Sequence, residues 1–173
     1  MPVTDLSYAR KRSAEHLVIL GVETRGWNCG WALVTDGNPT AAGSIGARDH
    51  VDGKVVPQSH RIASLFGNLL EVARERQPLF IVGEAKAKPG PVWMLPPLLA
   101  MACGVRYVEM KDCLSLLNID ARSLKAWATV QLGKTPEDDL VAQALALATA
   151  LSGSLRGHGH HVHGPGCDHA DGE

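Results

Sequence analysis

The sequence lacks the features that would assign it to a membrane or to the secretory route. Its 173 residues contain no run of about 18 apolar residues, the length that a transmembrane helix needs. The opening stretch MPVTDLSYARKRSAEH is charged and has no apolar segment of the kind found in signal peptides. We therefore expect a soluble, cytoplasmic protein with no membrane partner.

The sequence also has no CxxC pair and almost no net charge. In a cytosolic chain, cysteines are more often small buried hydrophobes than disulfides or metal ligands. We therefore predict free thiols at Cys29, Cys103, Cys113 and Cys167. A formal net charge of −1 gives no general attraction to a phosphate backbone, so nucleic-acid binding would depend on local basic clusters.

The first half of the chain carries strand signals. Residues 17–23, LVILGVE, form a short apolar run rich in β-branched side chains, which predicts a buried central strand. The next apolar segment, GWALVTDGN, ends in the turn sequence of residues 36–39, Asp-Gly-Asn-Pro, and this predicts a hairpin into a third strand near residues 40–48. An antiparallel meander should therefore open the fold.

An amphipathic helix followed by another buried strand comes next. Within residues 57–77, apolar side chains recur at spacings of three and four, and Pro78 ends the pattern. Residues 79–85, LFIVGEA, repeat the apolar character of the first strand, as expected for a strand covered on both faces. A strand, a helix and a second buried strand predict a crossover connection.

The second half predicts helices around one more strand. Residues 91–103 favour a helix that Pro96 and Pro97 should kink or break, residues 105–110 favour a strand, and residues 123–132 favour a short helix. Thr135 as the capping residue, with Pro136 at the first helical position, predicts a last helix from residue 138 to about residue 151. Gly153 is expected to end the ordered part.

We therefore divide the chain into a polar leader (1–16), one α/β domain (17–152) and a flexible tail rich in Gly and His (153–173). The tail histidines suggest a site for Zn²⁺ or Ni²⁺, because neutral imidazole suits both ions. Their spacing fits no zinc-finger template, and the alternative is a solvated tail that binds metal only adventitiously. The tail residues concerned are His158, His160, His161, His163, His169 and Cys167.

Acidic residues follow both predicted central strands. Glu23 ends the first, Glu84 ends the second, and Asp138 and Asp139 open the last helix. Carboxylates gathered from separate elements repel one another, and divalent cations relieve that repulsion while leaving positions for water and phosphate oxygens. Phosphodiester hydrolysis uses such a site; alternatively, these acids face solvent or complement a helix dipole.

Four segments in order resemble RuvC-type Holliday junction resolvases, and the last two resemble the phage-type relatives in particular. They are Gly21-Val22-Glu23 with Gly30-Trp31-Ala32, then Ile81-Val82-Gly83-Glu84, then residues 123–129 (SLKAWAT), and finally residues 139–148 (DLVAQALALA). Together they span roughly residues 17–152, and their order is harder to obtain by chance than any one of them.

The resemblance implies an RNase H-like fold: a mixed five-stranded sheet, with an antiparallel meander of three strands and then parallel crossover strands, flanked by helices. It also implies a homodimer that binds branched DNA and cuts four-way junctions, with Mg²⁺ or Mn²⁺ and no small-molecule cofactor. Glu23, Glu84 and Asp139 would hold the metals, with Asp138 as the second choice for the last position.

Two positions depart from the family pattern. Glu23 stands where the family usually has Asp, so its carboxylate reaches one methylene further. Gln143 stands where the last helix of the family usually has its Asp, and an amide is a neutral, poorer ligand. Asp139 lies one turn earlier on the same helical face and could substitute.

Basic residues near the acids are candidates for DNA contact. They are Arg25, Lys86, Lys88 and Lys125, and each is equally explained as an ordinary solvated charge. Trp27, in the loop after Glu23, could stack on a splayed base or pack against Pro or Met.

Three functions remain open at this point. The leading one is a structure-selective endonuclease, the second is a non-catalytic RNase H-like domain that binds DNA or a protein, and the third is a nuclease for another substrate such as an RNA-DNA hybrid. A fold alone does not choose among them.

Overall fold

The computed structural model describes residues 16–87 and 90–157. Its strands are β1 (Val18–Arg25), β2 (Asn28–Thr35), β3 (Asn38–Gly46), β4 (His50–Val51), β5 (Lys54–Val55), β6 (Phe80–Glu84) and β7 (Arg106–Met110). Its helices are α1 (Gln58–Arg76), α2 (Leu95–Cys103), α3 (Cys113–Leu116), α4 (Leu124–Leu132) and α5 (Asp139–Gly157), with a 3₁₀ turn at Ala121–Ser123. The main sheet has the order β3-β2-β1-β6-β7, and β4 and β5 form a separate small hairpin.

The predicted meander is confirmed, and its turn chemistry explains it. Thr35 pairs with Asn38 across the two-residue loop Asp36-Gly37, and both loop residues have positive φ, 51° and 84°. Such a loop matches the twist of the flanking strands, and Gly and Asp are among the residues that accept its backbone angles. β1, β2 and β3 are therefore antiparallel neighbours.

The predicted crossover is confirmed as well. β6 pairs with β1 in parallel, and β7 pairs with β6 in parallel. α1 makes the connection between β1–β3 and β6 and buries Leu65, Leu69 and Ala73. Because β1, β6 and β7 run in the same direction, their carboxyl ends meet at one edge of the sheet.

Each face of the sheet has its own apolar core. On one face, Ile19, Ala32 and Val82 pack against the Ala- and Leu-rich side of α5. On the other face, Leu20, Leu33 and Ile81 pack against α1 and α2. Alternation of side chains along each strand produces this division.

Three sequence-based details were wrong. Pro96 and Pro97 do not break the helix but lie in the first turn of α2, where a missing backbone N–H costs nothing. Thr135 does not cap the last helix; the Asp138 carboxylate accepts a hydrogen bond from the backbone N–H of Val141 at 3.0 Å. Gly153 does not end the ordered part, because α5 continues through it to Gly157.

Cys29, Cys103 and Cys113 are free thiols, as predicted. Within the described ranges, no helix has both the length and the apolar character needed to cross a membrane. Residues 1–15 of the leader, Cys167 and the tail histidines His158, His160, His161, His163 and His169 lie outside the described residues, as does Lys88.

Candidate functional site

Glu23 and Glu84 lie at the common carboxyl edge of β1 and β6. Gly21 and Val82, two residues earlier on their strands, face α5. Side chains two apart on a strand share a face, so both glutamates belong to the α5 side of the sheet. Glu23 is 2% exposed and Glu84 is partly buried. The sequence placed these acids at the ends of the two central strands, and the structure shows that β1 and β6 are neighbours in the sheet.

The two carboxyl groups interact strongly. Burial, and then the hydrogen bond and negative charge of Glu23, raise the pKa of Glu84 from 4.5 to about 7. When Glu84 is ionised, no described residue donates a hydrogen bond to Oε2 of Glu23, which is itself buried. A shared proton or a cation is therefore needed to hold this pair together.

Lys86 supplies a cation to the pair. Its Nζ forms an ion pair with Oε1 of Glu23 and donates a hydrogen bond to the backbone carbonyl of Thr24. Oε1 of Glu23 also accepts a hydrogen bond from the Thr24 backbone N–H at 3.1 Å. Lys86 follows β6 closely, so the parallel pairing of β6 with β1 delivers its side chain to the end of β1.

The two aspartates at the start of α5 occupy a different place. Asp138 accepts a hydrogen bond from the Ser44 hydroxyl at 2.7 Å and caps α5 through Val141. Asp139 is exposed. Both line a cleft with Arg25, Gly26 and Asn28, to which neither Glu23 nor Glu84 contributes. The structure therefore brings Glu23 and Glu84 together and leaves Asp138 and Asp139 beside them in a separate cleft.

Gln143, at the position of the expected final acid, faces Cys113. Its amide nitrogen lies 3.6 Å from the Cys113 Sγ, to which it donates a weak hydrogen bond. Burial raises the pKa of the Cys113 thiol to about 11, and the charges of Glu84 and Glu23 add to this shift. Cys113 is thus a neutral neighbour of the glutamates that sequence reasoning missed. The available signal was its place just after β7, whose carboxyl end lies at the same edge.

These residues do not fit a two-metal centre. Among residues 16–87 and 90–157, no three His, Cys, Asp or Glu side chains are grouped closely enough to hold a metal ion. Glu23 is already paired with an ammonium group, and the amide of Gln143 bonds to sulfur. What the arrangement does hold is two carboxyl groups and one cation, without a described nucleophile.

A cleft on the other side of the carboxyl edge was also missed by the sequence analysis. It has a volume of about 340 Å³ and is lined by Glu84 and Lys86 together with Trp93, Tyr107 and Glu109. Burial raises the pKa of Tyr107 to about 12, so its hydroxyl stays protonated at neutral pH. No motif marks Trp93, Tyr107 and Glu109, because they come from the segment before α2 and from β7, whose contact depends on the fold.

The candidate DNA-contacting residues have different surroundings. Arg25 and Lys125 are exposed, whereas Lys86 is turned toward Glu23. Trp27 packs on the core, and the guanidinium of Arg61 lies 4.0 Å from the centre of its ring. That contact covers one face of the ring, and both sequence-based alternatives for Trp27 stay predictions.

The sheet order, its mixed direction and the helices on both faces define an RNase H-like fold. Among solved structures, Thermus thermophilus RuvC in complex with a Holliday junction substrate is similar, with a TM-score of 0.66 and 15% identity. This match covers 82% of the present chain and 96% of that chain. A second Thermus thermophilus RuvC structure has a TM-score of 0.64 and 15% identity, covering 81% and 96% of the two chains.

The yeast mitochondrial Holliday junction resolvase Ydc2 is also similar, with a TM-score of 0.50, 13% identity and 78% of each chain covered. No protein-family model and no curated protein matches the sequence. The expected resemblance to RuvC-type resolvases is therefore confirmed in the fold.

Proposed function

We propose that this chain binds branched DNA, four-way junctions in particular. The observation that carries the proposal is the similarity in fold, over 82% of the chain, to a RuvC whose structure contains a Holliday junction substrate. The order of the RuvC-like sequence segments along β1, β6 and α5 supports it independently. Because the chain has a net charge of only −1, contact with phosphates would depend on local positive groups at the carboxyl edge.

Arg25 is the best placed of these groups. It is exposed at the end of β1 and lines the cleft with Asp138 and Asp139, and its charge opposes the rise that burial and Glu23 cause in the pKa of Glu84. An arginine at this point would hold a phosphate at the edge where the acids lie.

The proposal includes a second copy of the chain. Three exposed apolar residues are spaced at i, i+4 and i+7 along α2 and its N-cap, namely Met94, Leu98 and Met101. They form a stripe on this side of α2, and exposed Trp93 adjoins it. A symmetric dimer through this stripe would present two carboxyl edges to one junction.

A second candidate is cleavage of the junction with Mg²⁺ or Mn²⁺. The adjacency of Glu23 and Glu84, and the lack of a described hydrogen-bond donor for Oε2 of Glu23, favour it. The absence of a third acid from this group is the observation against it, and binding is for this reason the primary proposal.

Fluorescence anisotropy with labelled DNA tests the binding proposal directly. A four-way junction, a linear duplex and an RNA-DNA hybrid of equal length are compared in EDTA. We expect the junction to bind roughly tenfold or more tightly than the duplex, because the affinity of a protein for its specific site exceeds its affinity for other DNA by at least that factor. Equal affinity for all three ligands would refute it, and preference for the hybrid would favour the third function considered above.

Two arginine variants locate the contact. Arg25→Gln should weaken junction binding and lower its salt dependence, because one phosphate contact is lost. Arg106→Gln is the matched control: Arg106 is also exposed, but it starts β7 at the opposite edge of the sheet. The same assay with Mg²⁺ or Mn²⁺, followed by a denaturing gel, tests for cleavage.

A further inference from the structure

Lys86 brings a positive charge to the oxygen atoms that a divalent cation would use. Mg²⁺ and Ca²⁺ take carboxylate and backbone carbonyl oxygens as ligands. At the end of β1 these are Oε1 of Glu23 and the carbonyl oxygen of Thr24, and both contact the Lys86 Nζ. A metal ion could use the same two oxygens only by displacing the ammonium group.

The position of Lys86 is well enclosed. Its side chain is 25% exposed, and the carboxylate that it contacts is 3% exposed. Opposite charges attract more strongly in such surroundings than in water, so this contact differs from an ordinary surface ion pair.

The other groups nearby do not assemble a competing metal site. Asp138 is committed to Ser44 and Val141, and Gln143 donates to Cys113. A cation at Glu23 and Glu84 would therefore have two carboxylates and no third acid among the described residues. One ammonium group with three N–H donors suits this set better than a divalent ion.

We propose that the Lys86 ammonium group is the resident cation of the Glu23–Glu84 pair and takes the place of a divalent metal there. The consequence for DNA rests on the proposed function: the chain binds a junction in the absence of metal and leaves the strands uncut. Lys86, which sequence analysis placed among the phosphate contacts, then acts as an internal positioning residue for the two glutamates.

Binding of Mn²⁺ to the full chain without DNA tests the proposal. The loss of the free Mn²⁺ signal in electron paramagnetic resonance is followed for wild type, Glu84→Gln, Lys86→Met and the double variant Lys86→Met/Glu84→Gln. Methionine keeps the unbranched apolar part of the lysine side chain and removes the ammonium group with its charge. The double variant corrects for any ion bound by the histidines of the tail.

We expect wild type and Glu84→Gln to bind Mn²⁺ equally weakly. Lys86→Met should bind one further ion roughly tenfold or more tightly, because the repelling unit charge is gone, and the double variant should lose that ion. Wild-type binding of an ion that Glu84→Gln loses would overturn the proposal. A Lys86→Met protein that binds no further Mn²⁺ ion would overturn it as well.

A measurement on the unaltered protein covers the case in which Lys86→Met does not fold. Acetylation of lysines is followed by mass spectrometry with and without excess Mn²⁺. An amine held by Glu23 and Thr24 should react several-fold more slowly than the exposed Lys54 and Lys125, and Mn²⁺ should not change this. Acceleration at Lys86 by Mn²⁺ would show that the metal displaces it.

The two proposals fail separately. Weak junction binding in EDTA with the expected Mn²⁺ results would refute the function and keep the assignment of Lys86. Tight junction binding together with Mn²⁺-dependent cutting and Mn²⁺ uptake by wild type would support the function and refute the assignment of Lys86.

Discussion

Glu84 is the residue whose charge should affect folding stability most visibly. Its pKa is raised from 4.5 to about 7 by burial and then by Glu23, so the folded protein holds this proton more tightly than the unfolded chain. Its contribution to stability is therefore greatest at low pH and is lost as the pH rises from about 4.5 through about 7. Glu84→Gln should abolish that loss, so the variant gains stability relative to wild type between pH 5 and pH 8, roughly the range that these two pKa values span.

Urea unfolding at about pH 5 and about pH 8 measures the free energy of unfolding of Glu84→Gln and of wild type. Glu71→Gln, at an exposed position of α1, is the control and should leave the pH dependence unchanged. A Glu84→Gln variant with the same pH dependence as wild type would contradict the pairing of the two carboxyl groups.

At the same scale, the sequence identified part of the site. The acids Glu23 and Glu84 could be predicted because each follows an apolar strand, and strand ends are visible in the local pattern. The partnership of Lys86 with Glu23 could not, because it depends on the register between β1 and β6. The role of Asp138 could not be predicted either, because its hydrogen bond to Ser44 joins residues far apart in the chain. Without that contact, Asp138 resembled a metal ligand in the sequence.

At the scale of elements, the seating of α5 on β1 and β2 depends on two glycines. A Cβ at Gly30 would collide with the backbone of Leu140 and Val141, and one at Gly21 with the carbonyl of Ala144. Gly30→Ala should therefore cost about 1–3 kcal/mol in the free energy of unfolding, as overpacking does.

Gly67→Ala is the matched control, since Gly67 lies within α1 and a Cβ added there would meet open space. It should stabilise the protein by about 0.5–1 kcal/mol through helix propensity. Urea denaturation of both variants gives the comparison, and equal effects would mean that α5 does not rest on the strand backbone.

The start of α5 gives a second prediction for an element. Asp138→Ala should cost about 1 kcal/mol, because the helix cap through Val141 is lost, and losing the bond to Ser44 adds to this. Asp139→Ala removes only an exposed charge in the first turn and should cost roughly 0.3–1 kcal/mol at most. Thermal unfolding at low salt compares the stability of the two variants. A larger loss for Asp139→Ala than for Asp138→Ala would make Asp138 a candidate metal ligand again.

Elements were more predictable than their ends. Local properties of the sequence, namely the spacing of apolar residues and the residues of the turn, were enough to predict β1, the Asp36-Gly37 turn and α1. The path of α5 through Gly153 could not be predicted, because the packing of Leu151 and Leu155 against the core outweighs the low helix propensity of glycine. Pro96 and Pro97 were misjudged because their effect depends on where the helix starts, which the sequence left open.

The last prediction concerns the whole molecule, because the proposed dimer would contain two carboxyl edges, one from each chain. The stripe on α2 ends at Met101, whose side chain is 76% exposed. A charge placed there would be buried without a partner in the dimer and would remain solvated in the monomer. Met101→Glu should therefore weaken dimerisation by about 2 kcal/mol or more, because the charge would lose its water without gaining a partner.

Sedimentation equilibrium over a range of concentrations measures this change. Val130→Glu provides the control, because Val130 is 78% exposed on α4, away from the stripe. If Val130→Glu dissociates the protein and Met101→Glu does not, the interface lies on α4. A wild type that stays monomeric throughout would leave one edge per particle, and junction binding would then have to be explained by contacts of a single chain.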